Sequence, residues 1–329
     1  MSLSFLDVLL TVVSLVILMI PGFIFAKTKL LGETGDKVLS NLVLYGCQSM
    51  LMIMGFQKTG YRSEIALNML IVFGLALAVH LIMIGIVYLV IRNKDGEEKR
   101  KVARCASVFS NCGYMGIPFL TMLFGNNGEI LIYASMVIAV FNIFNWTFGV
   151  YMITENKSDI SIKKIILNPV IICIVIGMIT FFVAKTPLVD LAEQGSIIDK
   201  ILELLIKAIN FLAEMVTPLS MIVIGMRLAN VKPKALFLDK WAYFTSLLKL
   251  IVMSLVSMLV VGFLPVSETI KYAVFFTLSM PSATGTVMFA VRFGGDSDSA
   301  SVFVLLSTVL SVITIPLMFL LFNGVILAI

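Results

Sequence analysis

Two short stretches decide the fold: Ser110-Asn-Cys-Gly-Tyr-Met-Gly-Ile-Pro118 and Ser279-Met-Pro-Ser-Ala-Thr-Gly-Thr286. Each puts helix-breaking and small polar residues inside a run without Asp, Glu, Lys or Arg, 105–128 for the first and 272–291 for the second. About 20 apolar residues in helix cross a hydrocarbon core of about 30 Å. Pro118 lacks an N–H and clashes with the carbonyl four residues back, while Gly113 and Gly116 loosen the backbone. Pro281 and Gly285 play the same parts in the second stretch. Unwound backbone at membrane depth must be buried in protein or line a wet cavity. Each break also leaves a half-helix N-terminus whose unpaired N–H groups and positive dipole end favour an anion. Asn111, Thr284 and Thr286 supply polar side chains beside those ends. One such cluster reads as a proline kink; two at matching depth point to a binding site.

The composition agrees. Of 329 residues, 60% are hydrophobic and 13% charged, with a mean hydropathy of +1.08. Soluble domains carry about half their residues as apolar and roughly a quarter as charged. A soluble fold of this make-up would expose apolar surface it could not cover. Secreted disulfide scaffolds, coiled coils and disordered tails are excluded, and the chain reads as an integral membrane protein. Six further charge-free runs cover 8–26, 38–57, 65–91, 130–154, 165–184 and 299–329. Two more, roughly 204–227 and 241–264, are interrupted by Lys207, Glu214 and Lys249. Ten spans are expected. The short alternating segments of a barrel are absent, so the bundle is all-α.

With the N-terminus outside, the connections after spans 1, 3, 5, 7 and 9 are cytoplasmic and hold 17 of the 24 Lys and Arg. Arg92–Arg104, which includes Lys94, is the densest block; Arg227, Lys232, Lys234 and Lys240 follow span 7. Only Lys58, Arg62, Lys185, Lys200 and Lys271 fall outside. This positive-inside bias places both termini outside the cell membrane. The net charge of +5 is thereby a topology signal rather than a nucleic-acid footprint. Cys47, Cys105, Cys112 and Cys173 have no paired spacing for a metal or disulfide and read as packing residues. One histidine, His80, leaves no paired-His metal motif, and no phosphate-cradling Gly-Lys-Ser/Thr loop occurs. The chain is expected not to be an enzyme and to transport without its own ATPase.

Ten spans divide into two sets of five, and an odd number makes the second set enter from the opposite side. Span 1 ends Phe23-Ile-Phe-Ala-Lys-Thr-Lys-Leu30 and span 6 ends Phe181-Phe-Val-Ala-Lys-Thr-Pro-Leu188. The two break clusters fall in the fourth span of each set. The expected organisation is one five-helix repeat over 1–153, a cytoplasmic linker over 154–167 and an inverted repeat over 168–329. Interrupted helices at matching positions of inverted repeats are the sequence mark of a transporter site.

Asn111-Cys-Gly-Tyr-Met-Gly-Ile-Pro118 resembles the fourth-helix signature of the auxin efflux carrier family, whose bacterial members include malate and malonate permeases. The resemblance continues in Asn41-Leu-Val-Leu-Tyr-Gly-Cys-Gln48, in Thr217-Pro-Leu-Ser-Met-Ile-Val-Ile-Gly225 and from Pro281 to Pro316, and so covers essentially the whole chain. It implies a bile-acid-symporter- and PIN-like elevator fold of ten transmembrane helices in two inverted five-helix repeats. Helices 4 and 9 are then broken and cross at their midpoints. A scaffold would come from 1–56 and 168–229 and a transport domain from 65–153 and 240–329. Substrate would sit at the crossing, against Gln48 of helix 2 and Thr217 of helix 7. Ser49 and Ser110 depart from the family pattern, which has proline after the glutamine in many relatives and before the asparagine in plant relatives.

Candidate substrate-binding residues are therefore Asn111, Cys112, Gly113, Gly116, Pro118, Pro281, Ser282, Thr284, Gly285, Thr286, Gln48, Thr217 and Asn145. Glu214, inside a span, is either a coupling group or a partner for Lys207 or Lys249. Lys249 reads as a snorkelling or paired lysine or an anion-attracting charge. His80 reads as a packed, hydrogen-bonded histidine. Asn142 and Asn145 face the crossing or bond neighbouring helices. With no carboxylate in either break, the expected cargo is a small mono- or dicarboxylate such as malate or malonate. The alternatives are an auxin-like aromatic carboxylate exporter, or a channel-like or sensor protein on the same scaffold. No cofactor is expected; H+ or Na+ is the candidate coupling ion. The expected partners are the organic anion, the lipid bilayer and a second copy in a homodimer, and not nucleic acid.

Overall fold

The computed structural model describes residues 3–32, 34–92, 98–125, 127–231 and 233–327. Helix α1 (Phe5–Lys27) starts on a capping box in which the Ser4 and Asp7 side chains each accept the other's backbone N–H. Helix α2 (Gly35–Gln57) passes through a π-turn at Leu42–Cys47, and α3 (Ser63–Val90) follows. Next come α4 (Glu98–Val108), α5 (Cys112–Phe124) and α6 (Gly128–Thr154), the last capped by the Asn127 side chain. Helices α7 (Lys157–Ile166) and α8 (Pro169–Ala184) meet at 43°. Helices α9 (Ile197–Asn230) and α10 (Lys240–Gly262) begin on Ser196 and Asp239 caps. The chain ends with α11 (Glu268–Ser279), α12 (Gly285–Phe293) and α13 (Ser297–Leu327). Gly294, at φ 74°, stops α12 in a left-handed conformation that glycine adopts without strain.

Seven helices, α1, α2, α3, α6, α9, α10 and α13, are each long and apolar enough to cross a bilayer, and the bent α7–α8 pair makes an eighth. The α7–α8 bend precedes Pro169, which excludes its predecessor from helical geometry. The runs 105–128 and 272–291 are not continuous helices. Each is split between two shorter ones, α4 with α5 and α11 with α12. The first split lies at Phe109–Asn111, well before Pro118. Pro118 stands in the first turn of regular α-helix, after a π-turn at Cys112–Gly116, where its missing N–H costs little. The second split, at 280–284, does contain Pro281.

Helix α9 extends well beyond 204–227. Its first half aligns Glu203, Lys207, Asn210 and Glu214 in a polar stripe at helical spacing. Lys207 Nζ lies 3.3 Å from Glu203, and the Asn210 side chain donates to Glu214 at 2.7 Å. Glu214 and Lys207 are both exposed, so the pairing of Glu214 with Lys207 or Lys249, the alternative to a coupling role, does not occur: local i,i+4 partners satisfy both groups. Lys94 and Lys232 lie outside the described residues.

Apolar burial gives little net attraction between helices in lipid, so close backbone approach and hydrogen bonds hold such a bundle. Helix α1 packs along the Val216–Asn230 half of α9, and α8 along the Gln48–Gln57 half of α2. Glycine permits both contacts. A Cβ on Gly22 would overlap the Ile222 carbonyl, one on Gly225 the Met19 carbonyl, and one on Gly177 the Phe56 ring. Helix α3 packs on α6, and α10 on α11 and α13. These layers bury every residue of 102–112 and 270–284, so the two splits lie at the centre of the molecule. The four cysteines are free and buried, as packing residues are.

Gly225→Ala is expected to lower the melting temperature in detergent by an amount equivalent to about 1–3 kcal/mol, because backbone cannot yield as a side chain can. Gly74→Ala, where a Cβ meets nothing within 4 Å, should leave it unchanged or slightly raised. Equal melting temperatures for the two variants would contradict the close α1–α9 contact.

Candidate functional site

At the two splits the chain is extended, and the extended links pair. Asn111 N–H donates to the Pro281 carbonyl at 2.7 Å, and Ala283 N–H donates to the Phe109 carbonyl at 2.8 Å. Ser110 and Ser282 face each other in this antiparallel bridge, the one extended pairing among the described residues. The two serines then act reciprocally on the helix ends. Ser110 Oγ donates to the Leu278 carbonyl at 2.7 Å, near the end of α11, and Ser282 Oγ donates to the Ala106 carbonyl at 2.8 Å, near the end of α4. Ser282 N–H is taken by Ser307 Oγ of α13 at 3.0 Å. Of the carbonyls that the two helix ends leave open, those of Leu278 and Ala106 are thus satisfied by serine hydroxyls.

Four half-helix ends meet at this bridge. The C-terminal, carbonyl-bearing ends of α4 and α11 are held by the serines, while α5 and α12 begin here, and the first turn of a helix leaves N–H groups without intrahelical partners. An amide side chain lies against each of these N-terminal ends. Gln48, from α2, lies so close to Gly113 that a Cβ there would sit 2.5 Å from Nε2. Asn145, from α6, lies against Gly285, with Nδ2 3.4 Å from where a Cβ would stand. Gln48, Asn111 and Asn145 are only 3–4% exposed, and Gln48 Oε1, Asn111 Nδ2 and Asn145 Oδ1 have no hydrogen-bond partner. Buried amide atoms without partners are costly, and three around one bridge mark a place made for a polar ligand.

Lys249 joins the same point. It sits in the middle of α10, wholly buried, and Nζ donates to Ser110 Oγ at 2.6 Å and to the Leu278 carbonyl at 2.8 Å. It does not snorkel, and among the described residues it pairs with no carboxylate. His80 is packed as expected: Nδ1 lies 2.8 Å from the Ala76 carbonyl and the ring stacks on Phe144.

Among the residues anticipated from sequence, Gln48, Asn111, Cys112, Gly113, Asn145, Pro281, Thr284 and Gly285 gather at or beside the bridge. Others serve the frame around it. Thr286 is fully buried with its hydroxyl 3.6 Å from Cys105 Sγ, so it ties α12 to α4. Thr217 meets Thr121 at 3.2 Å, further along α5. Gly116 accommodates Met280, Pro118 belongs to α5 proper, and Ser282 is committed to the Ala106 carbonyl. Asn142 accepts from Asn168 at 2.9 Å and so joins α6 to the start of α8. Glu214 lies on the α9 stripe, within electrostatic range of Lys58. Sequence reasoning missed Ser110 and undervalued Lys249. A lysine in the middle of an apolar helix was the available signal.

Because Ser282 Oγ is the partner of the Ala106 carbonyl, Ser282→Ala should destabilise the protein by about 1–3 kcal/mol. A melting temperature within experimental error of wild type would contradict this account of the bridge.

The chain matches the family described as Membrane transport protein over residues 7–165 and again over 156–319. A search of curated proteins gives no match. The two matches together take in nearly the whole chain, and the all-helical fold with its long apolar helices agrees with them. Members of this family are transporters, not enzymes. The chain is a multi-pass membrane transporter and belongs to the auxin efflux carrier family.

Proposed function

We propose that this transporter is a secondary, elevator-type carrier that moves a small organic anion, a mono- or dicarboxylate of the malate or malonate kind, across the cytoplasmic membrane. The observation that carries the reading is the sorting of charge at the bridge. Two half-helix N-termini, whose first-turn N–H groups lack intrahelical partners, begin there beside the unpartnered Asn111 Nδ2, and the flanking segments 102–112 and 270–284 contain no Asp or Glu. An amine would meet two positive dipole ends with no carboxylate to receive it. A carboxylate meets donors, each end contributing about 0.3–2 kcal/mol and more where water is excluded.

Packing around the splits supports a small cargo over an indole acid. Phe109 is edge-on to Phe141, Phe119 packs on Phe276, and Tyr114 donates its hydroxyl to the Ser40 carbonyl at 2.8 Å. These rings are committed to the protein and offer no platform for an aromatic cargo.

An elevator needs a body that moves as one against a frame. The bridge, the Lys249 bonds and the Ser282–Ser307 bond tie α4, α5, α10, α11, α12 and α13 together. Toward α2 and α9 the same group presents the Gln48–Gly113 contact and the Thr121–Thr217 hydroxyl pair. We assign 65–153 and 240–329 to the moving body and 1–56 and 168–229 to the frame. The basic connections face the cytoplasm and both termini the outside.

Asn111→Ala should weaken carboxylate binding by about 1–3 kcal/mol, roughly 5- to 150-fold, in a calorimetric screen of carboxylates and amines. Amines should bind neither protein. Binding of amines, or equal carboxylate affinity in wild type and variant, would sink the reading.

A further inference from the structure

Lys249 is an amine placed where positive charge is expensive, and an intramembrane ionisable group normally pairs. Here it does not. Among the described residues no carboxylate lies within ion-pair distance of it; its partners are the Ser110 hydroxyl and the Leu278 carbonyl. The ionisable side chains within electrostatic range are His80 of α3 and Cys112 of α5, and neither is a carboxylate.

The oxygen partners identify the place. A hydroxyl and a carbonyl at the C-terminal, negative end of a half-helix form the kind of surroundings in which carriers coordinate Na+ or H+. The equivalent carbonyl at the end of α4, that of Ala106, receives the Ser282 hydroxyl and, among the described residues, no lysine. One of two related helix ends therefore carries an ammonium and the other does not.

We propose that Lys249 is a built-in cation of the crossing: its ammonium occupies the position a bound metal cation would take at the end of α11, and the anionic cargo, rather than any protein carboxylate, completes its charge. This rests on the carboxylate-carrier reading for the identity of the cargo, and on the Lys249 contacts alone for the built-in cation. The ammonium need not touch the cargo. It lies one residue from Asn111 through Ser110, in a site from which water is largely excluded, where a Coulomb interaction acts over several ångströms with little screening. The empty site then carries an uncompensated positive charge that resists movement through the bilayer centre, and a bound anion relieves it.

The test uses purified wild type, Lys249→Ala and Lys249→Gln, with melting temperature and calorimetric carboxylate titration as readouts. Lys249→Ala should melt below wild type and recover when ethylammonium or Na+ is added, but not with the bulky N-methylglucamine cation. Wild type should melt at the same temperature in all three. Lys249→Gln keeps a donor without the charge; it should bind carboxylate at least about tenfold more weakly than wild type. Carboxylate affinity in Lys249→Gln within about twofold of wild type, or a Lys249→Ala protein that neither small cation restores, overturns the inference. If wild type binds no carboxylate while ethylammonium still restores Lys249→Ala, the carrier reading falls and the built-in cation stands.

Discussion

Two backbone hydrogen bonds, Asn111 to Pro281 and Ala283 to Phe109, are the constraint on which the rest of this molecule depends. A chain that leaves the helical path at membrane depth exposes N–H and C=O groups that lipid cannot satisfy. Here two such departures satisfy each other, and Ser110 and Ser282 reach across to the carbonyls that the broken helices leave open. Given that solution, much else follows. Both links must be buried together, so the surrounding helices close over 102–112 and 270–284. Two carbonyl ends and two amide ends must also come to one point. The dipoles of a continuous helix would be spread over the bilayer; broken and crossed, they are delivered to its centre.

The protein then sorts charge by helix end. Hydroxyls and the Lys249 amine go to the carbonyl ends, and side-chain amides go to the N-terminal ends. Gln48 and Asn145 come from different helices, yet each lies against a glycine that opens an α5 or α12 terminus. A methyl group at Gly113 would collide with the amide. The small residues of these segments thus serve chemistry as well as packing. The glycines at the α1–α9 contact serve packing alone, where Gly22 and Gly225 let two backbones touch.

What could be read from the residues, and what could not, follows from the range of the interactions. Pro281 and Gly285 act locally, and the second break falls where they stand. Pro118 misled, because the first break is made by pairing with a segment far away in the chain; nothing in Phe109-Ser110-Asn111 announces it. Lys249 was visible as a charge in an apolar run, but its partner Ser110 is 139 residues away, and only the fold brings them together. Glu214 read as a carboxylate inside a span because the run around it is apolar in composition. Its helical phase puts it on the polar stripe of α9, where Asn210 satisfies it. Asn111 was legible as a polar residue in a glycine-bearing cluster inside an apolar run, and Gln48 and Thr217 entered through resemblance, of which Gln48 reaches the bridge and Thr217 does not.

The central claim is that the crossing is an anion site whose donors recognise a negative charge. The most direct measurement is a calorimetric titration of wild-type protein with a small carboxylic acid and with its neutral amide of the same shape. The account predicts that the carboxylate binds and the amide does not, because only the charged group is drawn to the half-helix ends and to Lys249. Equal binding of both compounds, or binding of the amide alone, would contradict it.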